Sequence, residues 1–130
     1  MARRKTELLT EVELEFMKVL WSIGQGTVRD VCSALTGHPP RAYTSVATVL
    51  KVLEGKGYVV SEKGDRTLTY RPNVEKNAYE RRSIREMSKS LFDGTPSALV
   101  ARLVEDEDLS DETIAEIRSI IDERLGRDAT

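Results

Sequence analysis

Residues 41–58 read RAYTSVATVLKVLEGKGY, and their reading decides what the rest of the chain can be. Val46, Val49, Leu50 and Leu53 recur at i, i+3, i+4 and i+7, so one stripe of a helix faces a core. Half a turn away lie Thr44, Thr48 and Lys51, with Arg41 near the same line and Ser45 and Ala47 flanking it. No acidic residue occurs from Arg41 to Val52. Solvated helix faces usually mix charge signs, so a face of short hydroxyls and cations is unusual. Small hydroxyls let a helix approach closely and hydrogen-bond phosphate or base edges, while Lys and Arg neutralise phosphate. Gly55 and Gly57 are expected to end the helix through a left-handed cap. An ordinary amphipathic helix without acids is the competing reading of these residues alone.

The next residues favour the first reading. Tyr58 to Lys63 is rich in strand formers, Gly64-Asp65 signals a turn, and Thr67 to Arg71 alternates before Pro72. The pattern predicts a β-hairpin with Lys63 and Arg66 beside its turn. A helix followed at once by a basic-tipped hairpin is the ending of a winged helix-turn-helix. In that arrangement the helix enters the major groove and the hairpin tip touches backbone or minor groove.

Upstream, residues 1–9 form a basic arm expected to be mobile. Thr10 and Glu13 make a capping box that opens a helix running to about Trp21–Ile23. Leu14, Met17, Leu20 and Trp21 form one apolar stripe and Val12, Phe16, Val19 and Ile23 another, so this helix is expected to be largely buried. Trp21 reads as a core anchor. Gly24-Gln25-Gly26 breaks the chain, and Thr27 caps a short helix from Val28 to Leu35, with Val31 and Leu35 inward and Arg29 outward. Residues Thr36 to Pro40 are the turn before the 41–58 helix, with His38 a loop residue. The single histidine and the single cysteine, Cys32, leave no metal site to assemble.

Composition and charge fit this organisation. The chain has 130 residues and a net charge of −2. The two parts differ: residues 1–72 hold 11 Lys and Arg against 8 Asp and Glu, and residues 73–130 hold 9 against 14. The first part is therefore +3 and the second −5, an asymmetry that the whole-chain charge hides. One cysteine cannot form an internal disulfide, which fits a reducing cytoplasm. No apolar run approaches the ~20 residues of a membrane span, and no secretory signal is visible. Direct membrane association is not expected.

After Pro72 the texture becomes helical. Asn73 is expected to cap a helix from Val74 to Phe92 carrying Ile84, Met87 and Leu91, with Gly94 ending it. Thr95-Pro96 opens a short helix with Leu99, Val100, Leu103 and Val104 apolar. An acidic link, Glu105 to Asp108, precedes a last helix opened by Ser110-Asp111-Glu112 and closed by Gly126. That helix carries Ile114, Ile117, Ile120, Ile121 and Leu125. Three striped helices without a large aromatic residue make a poor independent core, and a symmetric homodimer is the commonest remedy. Leu99, Leu103, Ile114, Ile117, Ile121 and Leu125 are the expected interface. The expected fold is mainly α with a small β-hairpin: a winged helix-turn-helix over residues 1–72 and a helical dimerisation region over 73–130.

Several stretches together carry a resemblance: LTEVELEFMKVLW (9–21), TVRDV (27–31), AYTSVATVL (42–50), Lys56-Gly57, Tyr70-Arg71-Pro72, Asp93-Gly94-Thr95 and Leu109-Ser110. In this order and spacing the chain resembles the penicillinase-repressor family of the BlaI, MecI and CopY type. The resemblance implies a dimeric winged-helix repressor on a dyad-symmetric, double-stranded DNA operator, controlling β-lactamase or cell-envelope genes. Two departures are visible. The copper-responsive branch has a cysteine-rich tail, and no cysteine follows Cys32 here. The β-lactam branch is inactivated by cleavage at an Asn-Phe bond in the helix after the Gly-Thr. The matching pair here is Arg102-Leu103, so cleavage by a membrane sensor protease would need a different specificity.

Enzymatic function is not expected. The chain has one His, one Cys, no Gly-rich phosphate loop and no paired acids in a cleft-forming motif, and no cofactor is implied. The acidic link lacks the ligand spacing and central glycine of a Ca²⁺ loop. The main rival is a winged helix that binds proteins and has lost its DNA face. Such a module would show apolar or acidic residues where this chain has Arg41, Thr44, Ser45, Thr48, Lys51, Lys63 and Arg66.

Overall fold

The computed structural model describes residues 8–35, 40–106 and 108–128. Residues 1–7 of the expected 1–9 arm, residues 36–39 of the expected 36–40 turn (His38 among them), residue 107 and residues 129–130 lie outside these. The elements, in order, are α1 (Glu11–Ile23), α2 (Val28–Ala34), α3 (Tyr43–Gly55), β1 (Val59–Lys63), β2 (Leu68–Pro72), α4 (Lys76–Leu91), α5 (Pro96–Val104) and α6 (Asp111–Asp128). The strands pair antiparallel, with Val59 opposite Pro72 and Lys63 opposite Leu68. Three helices and a hairpin in this order form a winged helix. The chain divides into two compact units, one ending at Ile84 and one from Arg85 onward.

The core of the first unit collects Phe16, Met17 and Leu20 from α1, Val28 and Val31 from α2, and Val46, Leu50 and Leu53 from α3. Tyr58, Val59, Tyr70 and Tyr79 complete it. The α3 stripe is as its spacing predicts, with Val49 partly buried beside it. The second stripe of α1 is only half inside: Phe16 is buried, whereas Val12 and Ile23 are exposed.

The expected capping box forms at α1, and α2 has one as well. Thr10 Oγ1 accepts from the Glu13 amide and Glu13 Oε1 accepts from the Thr10 amide. Thr27 and Asp30 repeat the arrangement at α2. The C-terminus of α3 differs from expectation. Gly55 is helical, and Gly57 alone takes the left-handed conformation, at φ 86°. The Gly57 amide donates to the Glu54 carbonyl and the Tyr58 amide to the Leu53 carbonyl, which is the Schellman pattern. Tyr58 and Leu53 are both fully buried, so an apolar contact accompanies that cap.

Other expectations give way for physical reasons. Asn73 does not cap α4. Its amide donates to the Tyr58 carbonyl and its side chain to the Gly57 carbonyl, so it clamps the end of α3 instead. Gly126 does not end α6, which runs on to Asp128. The 24–26 break carries more than a turn. Gly26 exchanges two backbone hydrogen bonds with Tyr70, at 2.9 and 2.8 Å, and so adds a one-residue third rung to the hairpin.

The first unit continues beyond Pro72. Trp21 Nε1 donates to the Val74 carbonyl at 2.9 Å, and the Leu9 amide donates to the Tyr79 hydroxyl at 3.0 Å. Leu9 is therefore tied down, although the sequence assigns it to a mobile arm. The Tyr79 ring lies 5.9 Å from both Trp21 and Tyr58, and the Arg82 guanidinium sits over the Tyr58 and Tyr79 rings.

The second unit has a different character. Among its described residues only Ser88 is buried. Asp93 and Gly94 turn the chain after α4 with positive φ, and the Gly94 amide donates to the Ser88 carbonyl. Thr95 precedes α5 with Pro96 at its first position. Ser110 Oγ accepts from the Thr113 amide and caps α6.

Candidate nucleic-acid interface

The site is built on α3. Burial of Val46, Leu50 and Leu53 fixes the rotation of the helix and turns Thr44, Ser45, Thr48 and Lys51 to solvent. The outward face contains no acid from Tyr43 to Val52, so nothing on it opposes a polyanion. Thr48 Oγ1 donates to the Thr44 carbonyl at 2.9 Å. Its proton is thereby committed, and its lone pairs face outward as acceptors.

Arg41 is held before α3 begins. Its Nη2 pairs with Glu15 Oε1 at 2.8 Å, and its guanidinium lies 5.8 Å from the Phe16 ring centroid. The two side chains are 35% and 40% exposed, so water screens the pair and the arginine can exchange partners. Lys63 and Arg66 are exposed at the two ends of the hairpin turn, where the Gly64 amide donates to the Thr67 carbonyl.

Two residues outside the expected set belong to this surface. Tyr43 is 55% exposed at the start of α3, and Arg29 is exposed on α2. They share a groove with Cys32, Ser33 and Arg41. They also share a second cleft with the hairpin residues Arg66 and Thr67. The outward position of Arg29 was legible in the sequence; its meeting with Tyr43 and the wing was not, because the three come from separate elements.

Beneath this face lies an ion pair that no periodicity reveals. Lys56 Nζ bonds Glu13 Oε1 at 2.9 Å and Oε2 at 2.7 Å, and both residues are buried. Burial alone would raise the Glu13 pKa. The Lys56 ammonium and the Thr10 amide outweigh it and hold the carboxyl below the usual range. Burial pushes the Tyr58 and Tyr70 phenols up, so both stay neutral. The pair fastens α1 to the end of α3 and so helps fix the angle at which α3 is presented.

The model of the penicillinase repressor family matches residues 9–123, nearly the whole described chain. The chain belongs to the penicillinase repressor family. That family consists of transcriptional repressors, not enzymes, and this member is a repressor. It is 27% identical to the penicillinase repressor of Bacillus licheniformis over 95% of this chain and 97% of that one. It is 23% identical to the methicillin resistance regulatory protein MecI of Staphylococcus aureus over 92% of this chain and 98% of that one. One solved structure similar to it is the Bacillus licheniformis BlaI monomeric form in complex with the blaP half-operator. The two share 28% identity over 58% of this chain and 93% of that one, with a TM-score of 0.49. No described helix is long and apolar enough to cross a membrane.

On the second unit, the residues expected at a dimer interface are spread over α5 and α6. Leu103, Ile114, Ile121 and Leu125 are exposed, and Leu99 and Ile117 are half-buried. Arg102, of the pair that matches the family's cleavage position, is exposed on α5 and lies 3.5 Å from Glu105.

Proposed function

We propose that this repressor acts as a cytoplasmic homodimer that seats one α3 helix in each half of a dyad-symmetric operator. The observation that carries the reading is the acid-free face of α3, flanked by the cationic hairpin turn. Thr44, Ser45 and Thr48 meet base edges in the major groove, with Arg41 and Lys51 on phosphate. Arg41 leaves Glu15 to do so. Lys63 and Arg66 contact backbone or minor groove as the wing. This assigns the winged-helix part to DNA and the helices from α5 onward to dimerisation.

Dimerisation is supported by the apolar side chains of α5 and α6, which the single chain leaves open to water. One winged helix makes few phosphate contacts, and tethering two makes the second engagement intramolecular. The two α3 helices would then lie about one DNA turn apart, roughly 34–36 Å. Family membership supports β-lactamase or cell-envelope genes as targets. It also supports release through a membrane sensor protease that cuts at Arg102-Leu103 in α5.

The test uses the purified chain, an operator located by footprinting its own upstream region, and random duplex DNA. Binding to both should fall steeply with salt, because each neutralised phosphate contributes a slope of about −0.9. Thr48→Ala should cost about 1–3 kcal/mol on the operator and little on random DNA. Equal losses on both would reassign Thr48 to the backbone, and a flat salt profile would remove DNA as the partner.

A further inference from the structure

A second cleft lies beside the α3 face, where α2, α3 and the hairpin turn meet. Thr27 and Arg29 enter it from the start of α2, Tyr43 from the first turn of α3, and Arg66 and Thr67 from the turn. Its walls come from three separate elements, so the fold rather than one loop assembles it. No carboxylate is among the described residues that line it. The nearest acid on α2, Asp30, is turned back to accept from the Thr27 amide at 2.9 Å. Arg29, Arg66 and Tyr43 thus line one cleft, with no carboxylate among its described lining residues.

That chemistry suits one oxyanion. Guanidinium forks give charge-assisted, paired hydrogen bonds to phosphate oxygens, and the phenol adds a neutral donor. A bare pair of arginines repels itself, whereas a shared phosphate turns the repulsion into attraction. Hydroxyl side chains at Thr27 and Thr67 supply further donors at the rim.

Resting on the DNA-binding function above, we propose that this cleft clamps a single backbone phosphate of the duplex. Arg29 and Arg66 share its charge and the Tyr43 hydroxyl donates to it. The clamp carries no sequence information. It fixes the register in which α3 meets the bases, by holding α2, α3 and the wing to one point on the strand.

The experiment measures affinity against salt for the full chain on operator and random duplexes. Arg29→Ala and Arg66→Ala should each lower the salt slope by clearly less than one unit, because the remaining guanidinium still neutralises the shared phosphate. The double variant should lower it by about one, because only then is the single phosphate left without a cation. Tyr43→Phe should leave the slope unchanged and weaken both duplexes about ten- to a hundredfold, the loss of one hydrogen bond to a charged group. All three side chains are exposed, and unchanged melting temperatures would show that the variants fold. A drop of about two units in the double variant would mean two separate phosphates and overturn the clamp. Loss confined to the operator in Tyr43→Phe would make Tyr43 a base reader and also overturn it. A steep wild-type slope that no variant changes would remove the cleft from the DNA contact while leaving the α3 face in place. A flat wild-type slope would instead refute DNA binding itself.

Discussion

The two units of this repressor solve the burial problem in opposite ways. The first closes a core around Phe16, Met17, Leu20, Val31, Val46, Leu50, Leu53, Tyr58, Val59 and Tyr70, all 0–1% exposed. The second has comparable apolar content along α5 and α6, yet Leu103, Ile120, Ile121 and Leu125 are between 48% and 65% exposed. Fully burying one such side chain is worth about 1.5–3 kcal/mol. The first unit has collected that free energy within one chain; the second has not, and on the dimer proposed above it would gain it at the interface. A winged helix that buries its own core is thus joined to helices whose apolar side chains the single chain leaves exposed.

The sharpest way to break this contrast is to charge the tail. Ile121→Asp should turn a micromolar dimer into a monomer and weaken operator binding by about a hundredfold or more, since a lone charge would be buried at the interface. Sedimentation reads the first effect and operator titration the second. If the wild-type chain already sediments as a monomer and still binds one operator tightly, those side chains have another use.

The next test asks where the self-sufficient part ends. The contacts of Val74 and Tyr79 carry the first unit past the hairpin, so a fragment ending at Ile84 should melt cooperatively. A fragment ending at Pro72 loses the buried Tyr79 ring and should be less stable by about 3–5 kcal/mol, the usual cost of removing a core aromatic. Equal denaturant midpoints for the two fragments would put the boundary back at the hairpin.

The smallest expected effect sharpens the contrast inside the first unit, at the buried Glu13–Lys56 ion pair. Lys56→Met leaves Glu13 buried without its cation and should cost about 3 kcal/mol, the low end for such a loss because the Thr10 amide still satisfies one oxygen. The pH dependence has a definite sign. Glu13 has a folded pKa below its ordinary 4.5, so its stabilisation is full above that value and is lost as the pH falls through the lowered pKa. Glu13→Gln should remove this part of the acid limb in melting curves taken between about pH 5 and pH 2.

What the sequence made legible was local. The Thr10–Glu13 capping box and the Thr27 cap announced two helix starts, because a cap is a contact between neighbours in the chain. The α3 stripe and the hairpin were equally plain, since periodicity reports which face is covered. The α3 face was legible too: rotation follows from the stripe, and the residues opposite it are then exposed. Illegible were contacts that join distant residues of ordinary surface type. Glu13 and Lys56 are 43 positions apart, and nothing in either neighbourhood marks them as buried. Tyr79 looked like part of a separate helix because its partners, Leu9, Trp21 and Tyr58, are all far upstream. Asn73 carried a capping residue's chemistry but used it on the preceding helix. The meeting of Arg29, Tyr43 and Arg66 belongs to the same class.

The bond from Trp21 to Val74 gives the molecule a built-in optical gauge. Trp21 is the chain's single tryptophan, so its emission arises at one place. Its indole nitrogen is held by the carbonyl just before α4, and the Tyr79 ring lies 5.9 Å away. Any event that lifts the start of α4 from α1 would give that indole to water and redden the emission. The seam between the winged helix and the helix that leaves it can therefore be followed by eye of a spectrometer, in unlabelled protein, while DNA is bound and released.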